Sequence, residues 1–166
     1  MQDKIYHVLF ICTGNSARSI MAEAVMNQLG QGRFRAYSAG SLPRGEVHPL
    51  TRSTLAEQRY PTAGLSTKPW EEVADPDAPA MDFVFTVCDQ AAGEACPVWP
   101  GQPMTAHWGF ADPAAQVSDD PAQARKAFTA ALAQITTRIR LFLSLPLDKL
   151  DRLSLQAHLR ELGRPA

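Results

Sequence analysis

Eight consecutive residues, Cys12-Thr13-Gly14-Asn15-Ser16-Ala17-Arg18-Ser19, join a nucleophile to the parts of an anion clamp. They lie between an apolar run, Ile5 to Ile11, and a helical pattern that starts near Arg18. A tight turn at such a junction points its backbone N–H groups at one spot in front of the helix N-terminus, and that spot binds oxyanions. Five residues separate Cys12 from Arg18. That is enough chain to wrap a tetrahedral anion, with the sulfur below it and the planar guanidinium at the rim making paired hydrogen bonds. Thr13, Gly14, Asn15, Ser16, Ala17 and Arg18 are thus the expected oxyanion-binding loop. Gly14 permits close backbone approach, and Asn15 tolerates a left-handed conformation. The same donors favour a thiolate, lowering a cysteine pKa from about 8.5 towards roughly 3.5 to 7.5, and Ser19 can donate its hydroxyl to the sulfur. A cysteine at a strand end is more commonly a small buried apolar residue. Set among Gly14, Asn15, Arg18 and Ser19, Cys12 reads instead as a nucleophile. The lysine and following Ser/Thr of a Walker loop are missing, so covalent attack on the anion fits better than nucleotide cradling.

The elements that must hold this loop are legible on either side. Ile5 to Ile11 is a continuous apolar run of the kind that makes a central parallel strand. Met21, Ala24, Val25 and Leu29 recur at helical spacing, and Gly30 and Gly32 end that helix. Phe34 to Ala39 reads as a second strand, Gly40 to Pro49 as loop, and Thr51 to Glu57 as a short helix entered through Pro49. Asp75 to Pro79 is a surface connector. Asp82 to Val87 is a third strand, and Met104 to His107 a short fourth. Between them Cys88 to Pro103 holds two cysteines, two glycines and three prolines, a composition of functional loops. From Pro121, residues Phe128, Ala131, Leu132, Ile135, Ile139 and Phe142 share one face of a long helix. Pro146 stops it, and Ser154 is the expected cap of a last helix with Leu155, Leu159 and Leu162 on one side. Strands alternating with helices give an α/β fold, a parallel sheet with helices on both faces.

The 166 residues have a one-domain length, with 45% apolar and 20% charged residues. Sixteen Lys and Arg against seventeen Asp and Glu leave a net charge of -1, so no global field recruits nucleic acid or anionic lipid. No stretch has the length of a membrane span, and the N-terminus does not read as a signal peptide. Three cysteines without paired metal-ligand spacing point to a compartment that keeps thiols reduced, the cytoplasm.

The run V-L-F-I-C-T-G-N-S-A-R-S-I-M-A-E-A, residues 8 to 24, resembles the low-molecular-weight tyrosine phosphatase superfamily, and specifically its arsenate reductase branch. The likeness continues through Tyr37-Ser38-Ala39-Gly40, Phe85-Thr86-Val87-Cys88-Asp89, Cys96-Pro97 and His107-Trp108-Gly109-Phe110-Ala111-Asp112-Pro113. It covers most of residues 5 to 145. It implies a single-domain four-stranded sheet in the order 2-1-3-4, with the loop at the carboxyl end of the first strand, where ligands of open α/β sheets bind. Residues 1–145 would form the phosphatase-like domain and 146–166 a helical extension packed on it.

The resemblance also assigns roles. Attack by Cys12 expels an oxygen that needs a proton, and the family's general acid falls on Asp112; His107 and Trp108 read as packing around that loop. In a reductase, the Cys12 adduct of arsenate is resolved by a second thiol, which releases arsenite as a disulfide forms. Cys88 follows the third strand and suits that step, and Cys96 can then attack Cys88 and carry the disulfide outward. A helix from 88 to 96 would set those Cα atoms about 12 Å apart at ~1.5 Å per residue, against roughly 4.4 to 6.8 Å for a disulfide. The segment must rearrange, and Gly93 with Ala91, Ala92 and Ala95 would ease it. Phosphate is the expected competing anion, no cofactor is expected to be bound, and an external thiol reductant, thioredoxin or glutathione with glutaredoxin, would close the cycle. The alternative is an aryl phosphate (tyrosine) phosphatase using Cys12, Arg18 and Asp112 alone. Against it, Ala17 stands where tyrosine phosphatases of this fold usually carry a second cysteine, and Ala114-Ala115 where they carry tyrosines. A non-catalytic anion-binding or thiol-sensing module would leave Cys12, Cys88 and Asp112 unexplained. The interval from Cys88 to Cys96 is slightly longer than in thioredoxin-coupled members, so the reductant stays open. Some of those members bind potassium near the loop. Asn15, Glu23 and Ser38 match part of that site, but Lys68-Pro69 stands near where a carboxylate would be wanted, and no metal is expected.

Overall fold

Residues Tyr6–Ile11 form β1, and Val8, Leu9, Phe10 and Ile11 are completely buried. Successive side chains of a strand point to opposite faces, so burial of all four means that both faces of the sheet are covered around β1. The computed structural model describes residues 5–12, 17–40, 45–74, 80–87, 103–110, 113, 120–147 and 151–162. After β1 come α1 (Arg18–Leu29), β2 (Phe34–Ala39), α2 (Pro49–Glu57), α3 (Trp70–Ala74), β3 (Phe83–Thr86), β4 (Met104–His107), α4 (Pro121–Leu143) and α5 (Arg152–Leu162). The sheet is parallel in the order β2-β1-β3-β4, as expected. Its register sets Ala39, Ile11, Thr86 and His107 in one row across the carboxyl edge.

Seven residues of α4, namely Ala124, Phe128, Ala131, Leu132, Ile135, Ile139 and Phe142, are buried, including all six expected ones. Phe142 meets Phe83 and Phe85 edge-on at 5.2 and 5.6 Å, and Trp108 stacks on Phe85 at 3.9 Å. Trp108 is fully buried, and its indole N–H donates to the Leu159 carbonyl of α5. Its packing role is therefore plain. The two sheet edges are covered by side-chain amides, which blunts their pairing potential. Asn27 of α1 donates to the Ala36 carbonyl of β2 and accepts from the Ala36 N–H. Gln156 of α5 donates to the Thr105 carbonyl of β4. Among the described residues no helix is long and apolar enough to cross a membrane.

Several boundaries differ from the sequence expectation. The third strand is shorter, because Asp82 turns its carboxylate onto the His7 N–H. α2 begins at Pro49, with His48 capping it by accepting from the Leu50 N–H. Ser154 is not the cap of α5. Asp151 accepts from the Ser154 N–H at 2.7 Å, and hydrogen bonds from the Ser154 backbone and hydroxyl hold its carboxyl below the usual range. The carboxylate takes the capping place because it stands at the N-cap, whereas Ser154 already lies in the first turn.

Gly30 ends α1 by necessity of space. A Cβ there would lie 2.8 Å from the Met26 carbonyl oxygen and 3.0 Å from the Phe34 Cβ, where α1 turns into β2. Gly30→Ala is expected to cost about 1 to 3 kcal/mol by overpacking. A urea midpoint unchanged from wild type would show that the turn yields freely.

Candidate active site

The carboxyl edge of the sheet gathers the ends of three strands. Beyond β1 the ladder runs one residue further, the Cys12 N–H donating to the Ala39 carbonyl at 3.2 Å, and Cys12 is 5% exposed. Beyond β3, the Val87 N–H donates to the Ile11 carbonyl at 2.9 Å, so the residue that precedes Cys88 sits beside the one that precedes Cys12. Beyond β4, the chain stays bonded to the end of β3. Trp108 donates to the Thr86 carbonyl and Phe110 to that of Val87, while His107 Nδ1 bonds the Thr86 hydroxyl at 2.8 Å.

Arg18, the first residue of α1, reaches the same edge. Its Nη1 donates to the Phe110 carbonyl at 2.9 Å, across 92 residues of sequence. The N-cap residue is Ala17, and no side chain caps the helix there. The first-turn N–H groups of α1 thus donate to no side chain of their cap residue, a condition under which an anion at the helix start is favoured. Ser19 is completely buried one residue on. Of the residues singled out from sequence, Cys12 lies at this edge and Arg18 reaches it, with Ala17 and Ser19 on either side of Arg18 in the chain. Thr13, Gly14, Asn15, Ser16, Cys88, Cys96 and Asp112 lie outside the described residues. The Phe110 carbonyl was missed, since a backbone acceptor leaves no mark in side-chain type.

Behind the edge, Ser38 of β2 donates its hydroxyl to Glu23 Oε1 at 2.5 Å, and Lys68 Nζ stands 3.9 Å from the same oxygen. The Lys68 and Glu23 side chains are 18% and 13% exposed. A monovalent cation there would meet an ammonium already facing the carboxylate, so these residues do not fit a potassium ion. Among the described residues no group of three or more His, Cys, Asp or Glu could hold a metal. Burial raises the Glu23 carboxyl above its ordinary 4.5, opposed by the Ser38 bond and the Lys68 charge. A raised pKa in the folded state means a stabilising contribution complete below that ordinary value and lost as pH rises through the folded one. Glu23→Gln removes this dependence. The melting temperature of the variant is expected to gain on wild type as pH climbs from 4.5, and parallel curves would contradict it.

A groove of about 300 Å³ between α2 and α4, lined by Tyr60, Thr129, Thr136 and Arg140 among others, has no cysteine, histidine or carboxylate in its wall. It lacks the means for the chemistry of the Cys12 edge.

Known proteins share the fold. The family model for low molecular weight phosphotyrosine protein phosphatases matches residues 7–154. The arsenate reductase of Bacillus subtilis is 34% identical over 114 residues, spanning 69% of this chain and 77% of that protein. A thioredoxin-dependent arsenate reductase of Corynebacterium glutamicum superposes with a TM-score of 0.62 at 26% identity, over 90% of this chain and 66% of that one. An arsenate reductase solved in a phosphate binding state superposes with a TM-score of 0.64 at 26% identity, over 84% of this chain and 97% of that one. With the 2-1-3-4 parallel sheet and the strand-to-helix passage from Cys12 to Arg18, the chain belongs to the low molecular weight phosphotyrosine protein phosphatase family, in its arsenate reductase branch.

Proposed function

We propose that the protein reduces arsenate to arsenite through a covalent Cys12 adduct and a relay of three thiols. The observation that carries this reading is the hydrogen bond from Val87 to Ile11. It ties the strand end that leads into Cys88 to the one that leads into Cys12. The chemistry then balances. The Cys12 thiolate displaces one oxygen of arsenate, which leaves as water with a proton from Asp112, and an S–As(V) bond forms. The Cys88 thiolate attacks the Cys12 sulfur, an S–S bond forms, and the S–As electron pair stays with arsenic, releasing arsenite. Cys96 attacks Cys88 and frees Cys12, and an external dithiol reduces the Cys88–Cys96 bond. Arg18 and the loop amides hold the oxyanion, and phosphate competes for the same place. Asp112 follows two residues after Phe110, which Arg18 holds, and this supports its role as the acid.

The thioredoxin-dependent relative supports thioredoxin as the reductant, in a thiol-reducing compartment such as the cytoplasm. Arsenite release measured with a thioredoxin system and with glutathione plus glutaredoxin, supplied separately, tests this. Turnover is expected with thioredoxin. Turnover with glutaredoxin alone would replace the partner, and no arsenite with either would overturn the reductase reading.

A further inference from the structure

Arg138 stands at the margin of the apolar stripe of α4, half-buried. It stands three residues after Ile135 and four before Phe142, both fully buried, so it flanks the core stripe of the helix. Its Nη1 is buried with no hydrogen-bond partner, and burial lowers its pKa. An unmatched buried donor is costly, the more so on a charged group, and an unbranched apolar side chain would fill the stripe without that cost. Packing alone gives no reason for a guanidinium here.

What it touches does. The Arg138 guanidinium lies over the ring of Phe110, 5.4 Å from its centre, where a cation is drawn to the negative ring face. Phe110 is the residue whose carbonyl accepts from Arg18 and whose N–H donates to Val87. Its three handles are thus held by three elements, the ring by α4, the N–H by the end of β3 and the carbonyl by α1. The carbonyl fixes one corner of a rigid planar fork, and with it the plane in which Arg18 presents its other donors.

We propose that Arg138 is a positioning residue for oxyanion binding: it clamps Phe110, whose carbonyl sets the plane of the Arg18 guanidinium. The inference rests on the reading of Arg18 as the oxyanion ligand, and not on the reductase chemistry. Calorimetric titration with inorganic phosphate, which needs neither arsenate nor a reductant, therefore tests it.

Arg138→Met is expected to weaken phosphate binding about two- to tenfold, the equivalent of having to order one long side chain on binding, with a melting temperature no lower than wild type. Phe110→Leu keeps the carbonyl and removes the ring, and should weaken binding to the same degree. The double variant should be no weaker than either single one, because both break one linkage. Equal phosphate affinity in wild type and Arg138→Met, or additive losses in the double variant, would overturn the proposal while leaving the anion site in place. Absence of phosphate binding by the wild-type protein would overturn the anion site as well. Should Arg138→Met fail to fold, Phe110→Leu alone decides: an unchanged affinity there refutes the linkage.

Discussion

Replacing Cys12 by serine is expected to abolish arsenate reduction and any aryl phosphate hydrolysis together, by roughly 10⁴- to 10⁶-fold, the scale on which loss of a nucleophile acts. Cys12 follows directly on four completely buried residues of β1, at the sheet edge that Arg18 reaches through the Phe110 carbonyl, and no side chain caps the helix that Arg18 begins. A serine oxygen fits that space. Its hydroxyl stays protonated at neutral pH, however, and it cannot form the disulfide that drives arsenic from the protein. Both assays should fall to background while the melting temperature stays near wild type, because the swap exchanges one small buried group for another. Turnover retained in Cys12→Ser would refute every catalytic role given to this edge.

Cys88→Ser is expected to separate the two chemistries that Cys12 could serve. Hydrolysis of an aryl phosphate needs the Cys12 nucleophile and water, so whatever phosphatase activity the wild type has should survive nearly intact. Arsenate reduction needs a second sulfur to take the adduct, and should stop after at most one adduct per molecule. The pairing of Val87 with Ile11 supports this expectation, since it sets the residue before Cys88 beside the residue before Cys12. The measurement is paired: p-nitrophenyl phosphate hydrolysis, and arsenite release with thioredoxin, on the same preparation. Full multiple turnover of arsenate in Cys88→Ser with thioredoxin would refute the relay. Turnover of the variant with a small thiol alone would place glutathione directly on the Cys12 adduct.

What could be read from the residues follows how local each feature is. β1 showed as a continuous apolar run because a central strand is buried on both faces, and α4 showed because its buried residues repeat every three or four positions. α3 passed unread, since five residues are too few to display a helical period. Residue type alone does not separate Ser154 from Asp151 as the α5 cap, because both types cap helices and only the backbone decides which one stands at the N-cap. The sheet order came with the family resemblance, because periodicity carries no information on which strand lies next to which. At the site, Cys12 and Arg18 stood out through residue type and spacing. The grip of Arg18 on Phe110 spans 92 positions and uses a carbonyl that every residue has. Arg138 flanks the apolar stripe of α4, where a charged residue is ordinary, so its hold on the Phe110 ring leaves no mark in the sequence.

The electrons reducing arsenic are expected to come from the protein's own thiols, starting at Cys12. Fully reduced protein, freed of all external thiol and mixed with arsenate, tests it without assuming any partner. About one arsenite should appear per protein, with about two of the three thiols lost to titration and the remaining one free, because reduction from As(V) to As(III) takes two electrons and one disulfide supplies them. Mass mapping should find that disulfide between Cys88 and Cys96, and in Cys96→Ser between Cys12 and Cys88. No arsenite, with all three thiols still titrating, would contradict the claim.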